Sequence, residues 1–194
     1  MTNENNFDVE GMHIEIFLSS EEIAKNAIII PKLPHGSNIV TIKSGSEDLS
    51  DCDALITQNR NLFLGIKTAD CAPICFSDGT KIGIAHIGWR GLCLGFIEKM
   101  IAEFETKKPS VYVAPFLHSF EIKRDFCHEQ LNPKFGGYIE QQSDKLVFNF
   151  RDAIHSLVPQ AVFDPRSTGT DSSLPSYRRD KKSGRLTTVI SFST

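Results

Sequence analysis

Short apolar runs separated by turn residues recur along this chain and limit what it can fold into. A clear break is Asp78-Gly79, which divides two such runs. Runs of this length between turn signals predict strands, and the short connections favour antiparallel or mixed pairing. The predicted strands are Met12–Leu18, Ala27–Ile30, Ile39–Lys43, Ala54–Thr57, Leu62–Ile66, Pro73–Ser77, Lys81–His86, Val111–Val113, Phe120–Lys123 and Arg185–Phe192.

Helical periodicity occurs at fewer places. A stripe of apolar residues at helical spacing predicts one amphipathic helix over residues 91–104. The stripe consists of Leu92, Phe96, Met100 and Phe104. Two shorter helices are predicted at residues 125–131 and 151–157, with Asp125 and Asn149 as their N-caps. Another helix start is indicated at residues 19–22, where two serines precede two glutamates.

The order of these elements predicts the fold class. Because strands outnumber helices and do not alternate regularly with them, we expect an α+β fold. The chain has 194 residues, of which 40% are hydrophobic, enough for a core and against wholesale disorder. No repeat or linker divides it, so we expect one domain over residues 1–194, with the first seven or so residues loose.

Charge and hydropathy exclude several classes of protein. The formal net charge is −3, which argues against a dedicated nucleic-acid binder. No apolar run approaches the roughly 20 residues that a membrane helix needs. The opening residues show no secretory signal, and five cysteines are an odd number at low density. We therefore expect a cytoplasmic protein with free thiols and with neither nucleic-acid nor membrane partners.

Two histidines and a cysteine stand where functional groups concentrate, in turns and at strand ends. His35 lies between Pro34 and Gly36, Cys71 separates two predicted strands, and His86 ends another. Two imidazoles and a thiolate suit Zn²⁺, and three protein ligands leave a fourth position for water, as in catalytic zinc sites. The three residues are far apart along the chain, so their spacing alone is weak evidence for a metal site.

Several segments taken together resemble a known family. They are Pro34-His35-Gly36, Thr68-Ala69-Asp70-Cys71, Ala85-His86-Ile87-Gly88-Trp89-Arg90-Gly91 and Ser176-Tyr177-Arg178-Arg179-Asp180. This set resembles the YfiH family, also called the laccase-domain or polyphenol-oxidase family, from about His35 to the C-terminus. The resemblance implies a layered α/β/β/α sandwich with mixed sheets, a fold shared with a bacterial deamidase toxin that uses a Cys–His pair.

The resemblance also implies a metal and an activity. Its zinc ligands would be His35, Cys71 and His86. Its members are described as purine nucleoside enzymes that combine phosphorolysis of inosine or adenosine with adenosine deamination. A bacterial branch is linked to the editing of peptidoglycan precursors. The expected partners are therefore a small nucleoside and phosphate, and copper can replace zinc by Irving–Williams substitution.

Other site residues are predicted around these ligands. Cys71, His86 and Asp70 are the predicted catalytic residues, with Asp70 orienting an imidazole through its carboxylate. Arg90 and Arg178 are the predicted phosphate ligands, because a guanidinium matches phosphate oxygens. The role of Arg179 is left open, and Trp89 is either a cover for a purine face or a core residue.

The remaining thiols and histidines carry no predicted chemistry. Cys52, Cys75, Cys93 and Cys127 are interpreted as structural, with Cys93 on the buried side of its helix, and His118 as a surface residue. A multicopper oxidase needs many more imidazoles than the six histidines of this chain, so the laccase label carries little weight.

Two departures from the family pattern leave alternatives open. The region before His35 is shorter than usual, and residues 114–121 replace a turn that normally contains two glycines. One alternative is a metal-free cysteine hydrolase or deamidase, with Cys71 as nucleophile and His86 as base. Another is a metal-binding module without activity.

Overall fold

Strands make up most of the regular structure. The structure is a computed structural model that describes residues 5–18 and 28–193. In chain order the strands are β1 (Asn6–Val9), β2 (Met12–Phe17), β3 (Ile28–Ile29), β4 (Ile39–Ile42), β5 (Ala54–Thr57), β6 (Phe63–Thr68), β7 (Ala72–Ser77), β8 (Ile82–Ile87), β9 (Ser110–Val113), β10 (Ser119–Ile122), β11 (Ile139–Gln142), β12 (Lys145–Asn149), β13 (Val162–Phe163) and β14 (Leu186–Phe192). The helices are α1 (Trp89–Cys93), α2 (Phe96–Ala102), α3 (Phe126–Phe135) and α4 (Phe150–Leu157), with a 3₁₀ turn at Gly136–Tyr138.

These strands form three sheets. The five-stranded sheet has the order β1-β2-β14-β6-β3, and the six-stranded sheet has the order β13-β9-β7-β8-β5-β4. Most neighbours are antiparallel, but β3 is parallel to β6, β4 to β5 and β13 to β9. The small sheet β10-β12-β11 is wholly antiparallel. Mixed sheets with few helices confirm the predicted α+β class.

The two large sheets pack face to face through alternate side chains of their strands. Met12 and Ile14 of β2 are buried in this interface, whereas His13 between them points the other way and contacts Asp8. Cys75 of β7 lies on the same interface. All of β7 and β8 is buried, because both faces of the six-stranded sheet are covered.

Helices and the small sheet cover the second face of the six-stranded sheet. The predicted apolar stripe is buried there, as Leu92, Phe96, Met100 and Phe104. Sheet, sheet and helix layers therefore stack in the predicted order. Within residues 5–18 and 28–193, no helix covers the outer face of the five-stranded sheet, where the predicted α/β/β/α sandwich would have its second helix layer.

The single helix predicted over residues 91–104 is wrong in one respect. It is divided into α1 and α2, because Gly95 adopts a left-handed conformation at φ +68° and breaks the helical path. Glycine reaches this conformation without steric cost, whereas other residues rarely do. Cys93 at the end of α1 is half-buried rather than enclosed, with its thiol donating toward the Gln130 carbonyl.

Other boundaries differ in smaller ways. Strand β1 occupies residues expected to be loose, since it pairs with β2, and β11, β12 and β13 were not predicted. Both predicted caps are confirmed: Asp125 accepts from the Cys127 N–H at 3.0 Å and Asn149 from the Asp152 N–H at 3.3 Å. Helix α3 extends four residues beyond the predicted end. The helix start predicted at residues 19–22 lies outside the described residues.

None of the helices within residues 5–18 and 28–193 has the length and apolarity needed to cross a lipid bilayer. The cytoplasmic location and the single-domain organisation stay predictions.

Candidate metal and substrate site

Three side chains from distant segments converge at one end of the six-stranded sheet. One ligand atom each of His35, Cys71 and His86 lies within 4.8 Å of the other two. His35 precedes β4, Cys71 occupies the turn between β6 and β7, and His86 is near the end of β8. Pairing of β7 with β8 places Pro73 opposite His86, which brings the Cys71 turn beside that strand end.

The backbone around these residues is strained. Leu33, His35 and Asp70 all have positive φ, at 59°, 68° and 92°. Non-glycine residues rarely adopt such angles, and where they do the surrounding structure must hold them. Both loops that deliver a ligand to the cluster contain such a residue, so their conformations are fixed by contacts with neighbouring segments.

Asp53, at the start of β5, supplies several of these contacts. Its side chain is fully buried. Oδ1 accepts hydrogen bonds from the His86 ring at 2.9 Å and from the His35 backbone N–H at 3.0 Å, while Oδ2 accepts from the Gly36 N–H at 2.6 Å. The Asp53 carbonyl also accepts from the His86 N–H at 2.8 Å. One buried residue thus positions both histidines.

These hydrogen bonds also assign the imidazole tautomers. Nδ1 of His86 donates to the Asp53 carboxylate, and Nδ1 of His35 donates to the Leu33 carbonyl at 3.1 Å. Neither acceptor can itself donate, so both protons lie on Nδ1. In the neutral form of each ring, Nε2 is therefore the nitrogen left for a metal ion, and in protonated His86 it carries the proton that faces Cys71.

The thiol has an unusual acidity in this setting. Burial alone would raise the pKa of Cys71, but hydrogen bonds and charge from His35 and His86 outweigh it and lower the pKa to about 7. Burial acts against protonated His86, yet hydrogen bonds to Asp53 and Cys71 raise its pKa to about 9. Burial opposes a charged Asp53, but bonds from His86 and Gly36 hold its pKa below the usual range.

Asp70 does not make the contact that the sequence predicted. The carboxylate on His86 belongs to Asp53. Asp70 instead accepts from the Thr168 hydroxyl at 2.7 Å and from the Arg178 backbone N–H at 2.8 Å. These two bonds fasten the segment after β13 to the Cys71 turn. The expected contact was wrong because the Asp70 carboxylate points toward Thr168 and Arg178, whereas the Asp53 carboxylate points toward His86. The position of Asp70 next to Cys71 in the sequence does not reveal this difference.

Two cavities meet at the three clustered side chains. The larger has a volume of about 670 Å³ and the smaller about 240 Å³. Both are lined by His35, Cys71, His86 and Tyr177. A ligand in either cavity would therefore lie against the same imidazole and thiol atoms.

The predicted phosphate ligands lie in different cavities. Arg178 lines the larger one together with Lys32, Lys67 and Arg185. Arg90 lines the smaller one, where its guanidinium carbon lies 4.7 Å from the centre of the Trp89 ring. The structure therefore gives the two arginines different surroundings.

Arg179, whose role was open, has structural contacts. Nη1 donates to the Thr168 carbonyl at 2.7 Å, and Nη2 donates to the Leu174 carbonyl. These bonds close the loop that carries Arg178. Trp89 is partly buried, packs on the helix-side core and stacks edge-on with Phe126, while also lining the smaller cavity.

The remaining thiols and His118 differ in burial. Cys52 and Cys75 are fully buried between the large sheets, and burial raises the pKa of both thiols. Cys127 is half-buried. His118, expected on the surface, is also half-buried, with its ring 5.0 Å from that of Phe116 and its Nε2 without a hydrogen-bond partner in the described residues.

Sequence reasoning missed several residues of the site, among them Asp53, Tyr177, Lys67 and Arg185. A signal existed for Asp53, because an acid that opens an apolar strand must find a buried donor. Tyr177 lies between Ser176 and Arg178 in a segment whose arginines drew attention instead. Lys67 and Arg185 gave no signal, since single cations next to strands are common.

The chain is similar to a known family and to several proteins named as purine nucleoside phosphorylases. The family model described as "Multi-copper polyphenol oxidoreductase laccase" matches residues 8–193. A purine nucleoside phosphorylase of Aquifex aeolicus (strain VF5) is 27% identical over 195 residues, covering 93% of each chain. Purine nucleoside phosphorylase YfiH of Escherichia coli (strain K12) is 26% identical over 170 residues, covering 80% of this chain and 70% of that one.

Solved structures show the same fold. Protein NMB0706 of Neisseria meningitidis superimposes with a TM-score of 0.77 at 24% identity, covering 86% of this chain and 75% of that one. Hypothetical protein YfiH of Bacillus licheniformis gives a TM-score of 0.76 at 20% identity, with coverages of 89% and 78%.

Within the described residues, one cluster of histidine, cysteine and acidic side chains has the arrangement of a metal site. It uses two of the six histidines of the chain. His13 on β2 contacts Asp8 on β1, and His118, His128 and His155 lie outside both cavities. The copper chemistry named in the family description therefore has no second cluster of ligands among these residues.

Proposed function

Since the chain belongs to the YfiH family, described as multi-copper polyphenol oxidoreductase laccase, we propose that it is a metal-dependent purine nucleoside phosphorylase. It would cleave the bond between purine and ribose with inorganic phosphate. The names of the Aquifex and Escherichia relatives support the reaction class. The observation that carries the proposal is the junction of two cavities at His35, Cys71 and His86.

The residues present fit a zinc ion. Two Nε2 atoms and one thiolate are donors that zinc prefers, and their mutual separation within 4.8 Å suits one ion. Asp53 supplies the carboxylate that commonly orients a zinc-bound imidazole. When bound, zinc would supply a Lewis acid and increase the nucleophilicity of a water molecule at neutral pH.

The other residues of the cavities would bind and orient the two substrates. Tyr177 lines both cavities and is 43% exposed, and its ring, which Lys181 approaches to 4.5 Å, would contact a purine or ribose. Trp89 and Arg90 line the smaller cavity as a stacked pair and would contact a planar base. Arg178 lines the larger cavity, and its guanidinium would bind an anion there.

The test is a product assay on purified, zinc-loaded protein. Inosine with phosphate is expected to give hypoxanthine and ribose 1-phosphate, and omission of phosphate should stop the reaction. Arg178→Gln is the matched probe, because its backbone contact to Asp70 is kept while the guanidinium is lost. If the wild-type protein releases no base from any purine nucleoside, the proposal is wrong.

We also propose adenosine deamination as a second reaction of the same site. It requires water in place of phosphate as nucleophile, at the same imidazole and thiolate cluster. The assay is inosine formation from adenosine without phosphate. Absence of inosine under these conditions, with adenine and ribose 1-phosphate formed only when phosphate is added, would restrict the site to phosphorolysis.

The metal-free cysteine hydrolase stays a second hypothesis. It is favoured by the contact of the Cys71 thiol with two imidazoles, since a cysteine nucleophile needs an adjacent base. It predicts activity without metal, whereas the phosphorylase hypothesis predicts that chelation abolishes turnover. Peptidoglycan-precursor editing and an inactive metal-binding module also stay predictions.

A further inference from the structure

The larger cavity has a strong excess of positive charge. Its lining includes Lys32, Lys67, Arg178 and Arg185. Asp70 is the only carboxylate among the described residues that line it, and both of its oxygens already accept hydrogen bonds from Thr168 and Arg178. A cleft with this balance attracts anions and concentrates them at its walls.

Two of these cations stand on neighbouring chain segments of the five-stranded sheet. In the pairing of β6 with β14, Lys67 lies opposite Thr187, and Arg185 directly precedes β14. Nη1 of Arg185 donates to the Ser183 and Gly184 carbonyls, both at 3.1 Å. Its guanidinium carbon lies 5.7 Å from the centre of the Tyr177 ring, which lines the same cavity. Like charges that line one cavity repel each other, and an anion between them would relieve that repulsion.

Arg178 approaches the same cavity from the other wall. Its backbone N–H is fixed to Asp70 at 2.8 Å, and its guanidinium carbon lies 4.3 Å from the centre of the Phe120 ring. Its Nη1 also donates to the Glu121 carbonyl at 3.4 Å, so none of the side-chain contacts uses a carboxylate. No ion pair within the described residues neutralises Arg178, Lys67 or Arg185.

We propose that inorganic phosphate binds in the larger cavity, on Lys67, Arg178 and Arg185, and that the purine base occupies the smaller cavity beside Trp89. This inference rests on the proposed function, since it assigns a subsite to each substrate. Arg90 then belongs to the nucleoside end rather than to the phosphate. The imidazole and thiolate cluster lies between the two subsites, where the bond between base and ribose would be exchanged.

The test measures phosphate binding directly, so that it does not depend on turnover. Zinc-loaded protein without free zinc is titrated with potassium phosphate by calorimetry at constant ionic strength. Lys67→Gln and Arg185→Gln each remove one proposed contact. Lys107→Gln is the matched control, because this exposed lysine between α2 and β9 makes the same charge change and does not line either cavity. Thermal midpoints verify that all variants fold.

We expect phosphate affinity to fall roughly tenfold or more in Lys67→Gln and Arg185→Gln, as for loss of a charged hydrogen bond, and to stay unchanged in Lys107→Gln. Unchanged affinity in the first two variants, or no phosphate binding by the wild-type protein, would overturn the inference. If phosphate binds as expected while no nucleoside is cleaved, the subsite stands and the proposed reaction fails.

Steady-state kinetics give a second, independent measurement where turnover is present. Lys67→Gln and Arg185→Gln should raise the KM for phosphate and leave the KM for inosine unchanged, and Arg90→Gln should do the reverse. An equal rise in both KM values for Lys67→Gln and Arg185→Gln would contradict the assignment of separate subsites.

Discussion

Oδ1 of Asp53 lies 2.9 Å from Nδ1 of His86, and both side chains are buried. The same oxygen accepts from the backbone of His35, so a single carboxylate orients two of the three clustered side chains. Fully satisfied buried networks of this kind hold their members in one arrangement. This relationship supplies the most specific predictions about the site.

Asp53→Asn should weaken zinc binding by about 10–100-fold, the range for loss of such a supporting carboxylate. An amide offers one acceptor oxygen, whereas Asp53 accepts on both oxygens from three donors. Competition with a chromophoric chelator measures the affinity. Asp51→Asn is the control, because Asp51 is exposed and touches Asn38 rather than the cluster. Equal affinities in both variants would show that Asp53 has no role in metal binding.

Asp70→Asn should have a different effect, with metal content retained and stability reduced by about 1–3 kcal/mol. Its carboxylate joins Thr168 and Arg178 to the Cys71 turn and touches neither imidazole. Because Arg178 would lose its anchor, we also expect weaker phosphate use. Thr168→Val removes only one of the two bonds and should give a smaller loss of stability. Loss of zinc in Asp70→Asn would contradict this expectation, because it would show that Asp70 supports the metal site.

Asp53 and Asp70 show which parts of the site could be predicted from the sequence. Residue type and the family resemblance were enough to select His35, Cys71 and His86. These three side chains can bind zinc, and they stand in turns or at strand ends within the segments that carry the resemblance. The partner of His86 could not be predicted in the same way. Asp53 reaches it only through the pairing of β5 with β8, and that register is a property of the whole sheet.

The fold was also predictable only in part. Buried strands such as β7 and β8 follow from apolar runs, and both caps follow from side chains able to accept an N–H. Strand β13, Val162–Phe163, is too short to show a pattern, and β11 ends in Gln141 and Gln142 and so lacks an apolar run. The break between α1 and α2 at Gly95 could not be predicted, because the apolar stripe of residues 92–104 continues across it.

His118 should make stability depend on pH. Burial lowers its pKa, and the charge of Arg151 adds to this against the smaller opposing effect of Asp164. The folded state therefore favours the neutral ring, so stability is highest above about pH 6.5 and falls as the pH drops through the unfolded pKa toward the folded one. Thermal midpoints between pH 8 and 5 should decline less in His118→Asn than in the wild type. Identical pH profiles would contradict this.

Cys71 should be the most reactive thiol of the metal-free protein. Its pKa of about 7 leaves much of it as thiolate at neutral pH, whereas burial raises the pKa of Cys52 to about 11. Iodoacetamide with peptide mapping should therefore label Cys71 first, and added zinc should protect it. Preferential labelling of Cys52, or no protection by zinc, would contradict the geometry of the cluster.

The most direct measurement is metal content per chain in single-site variants purified with zinc. His35→Ala, Cys71→Ala and His86→Ala should each lose the ion, while Cys75→Ala should keep one equivalent. Cys75 is the matched control, because it is a thiol four residues away that is enclosed between the large sheets. We expect one zinc ion per wild-type chain. Full metal content in Cys71→Ala, or loss of metal in a folded Cys75→Ala, would contradict it.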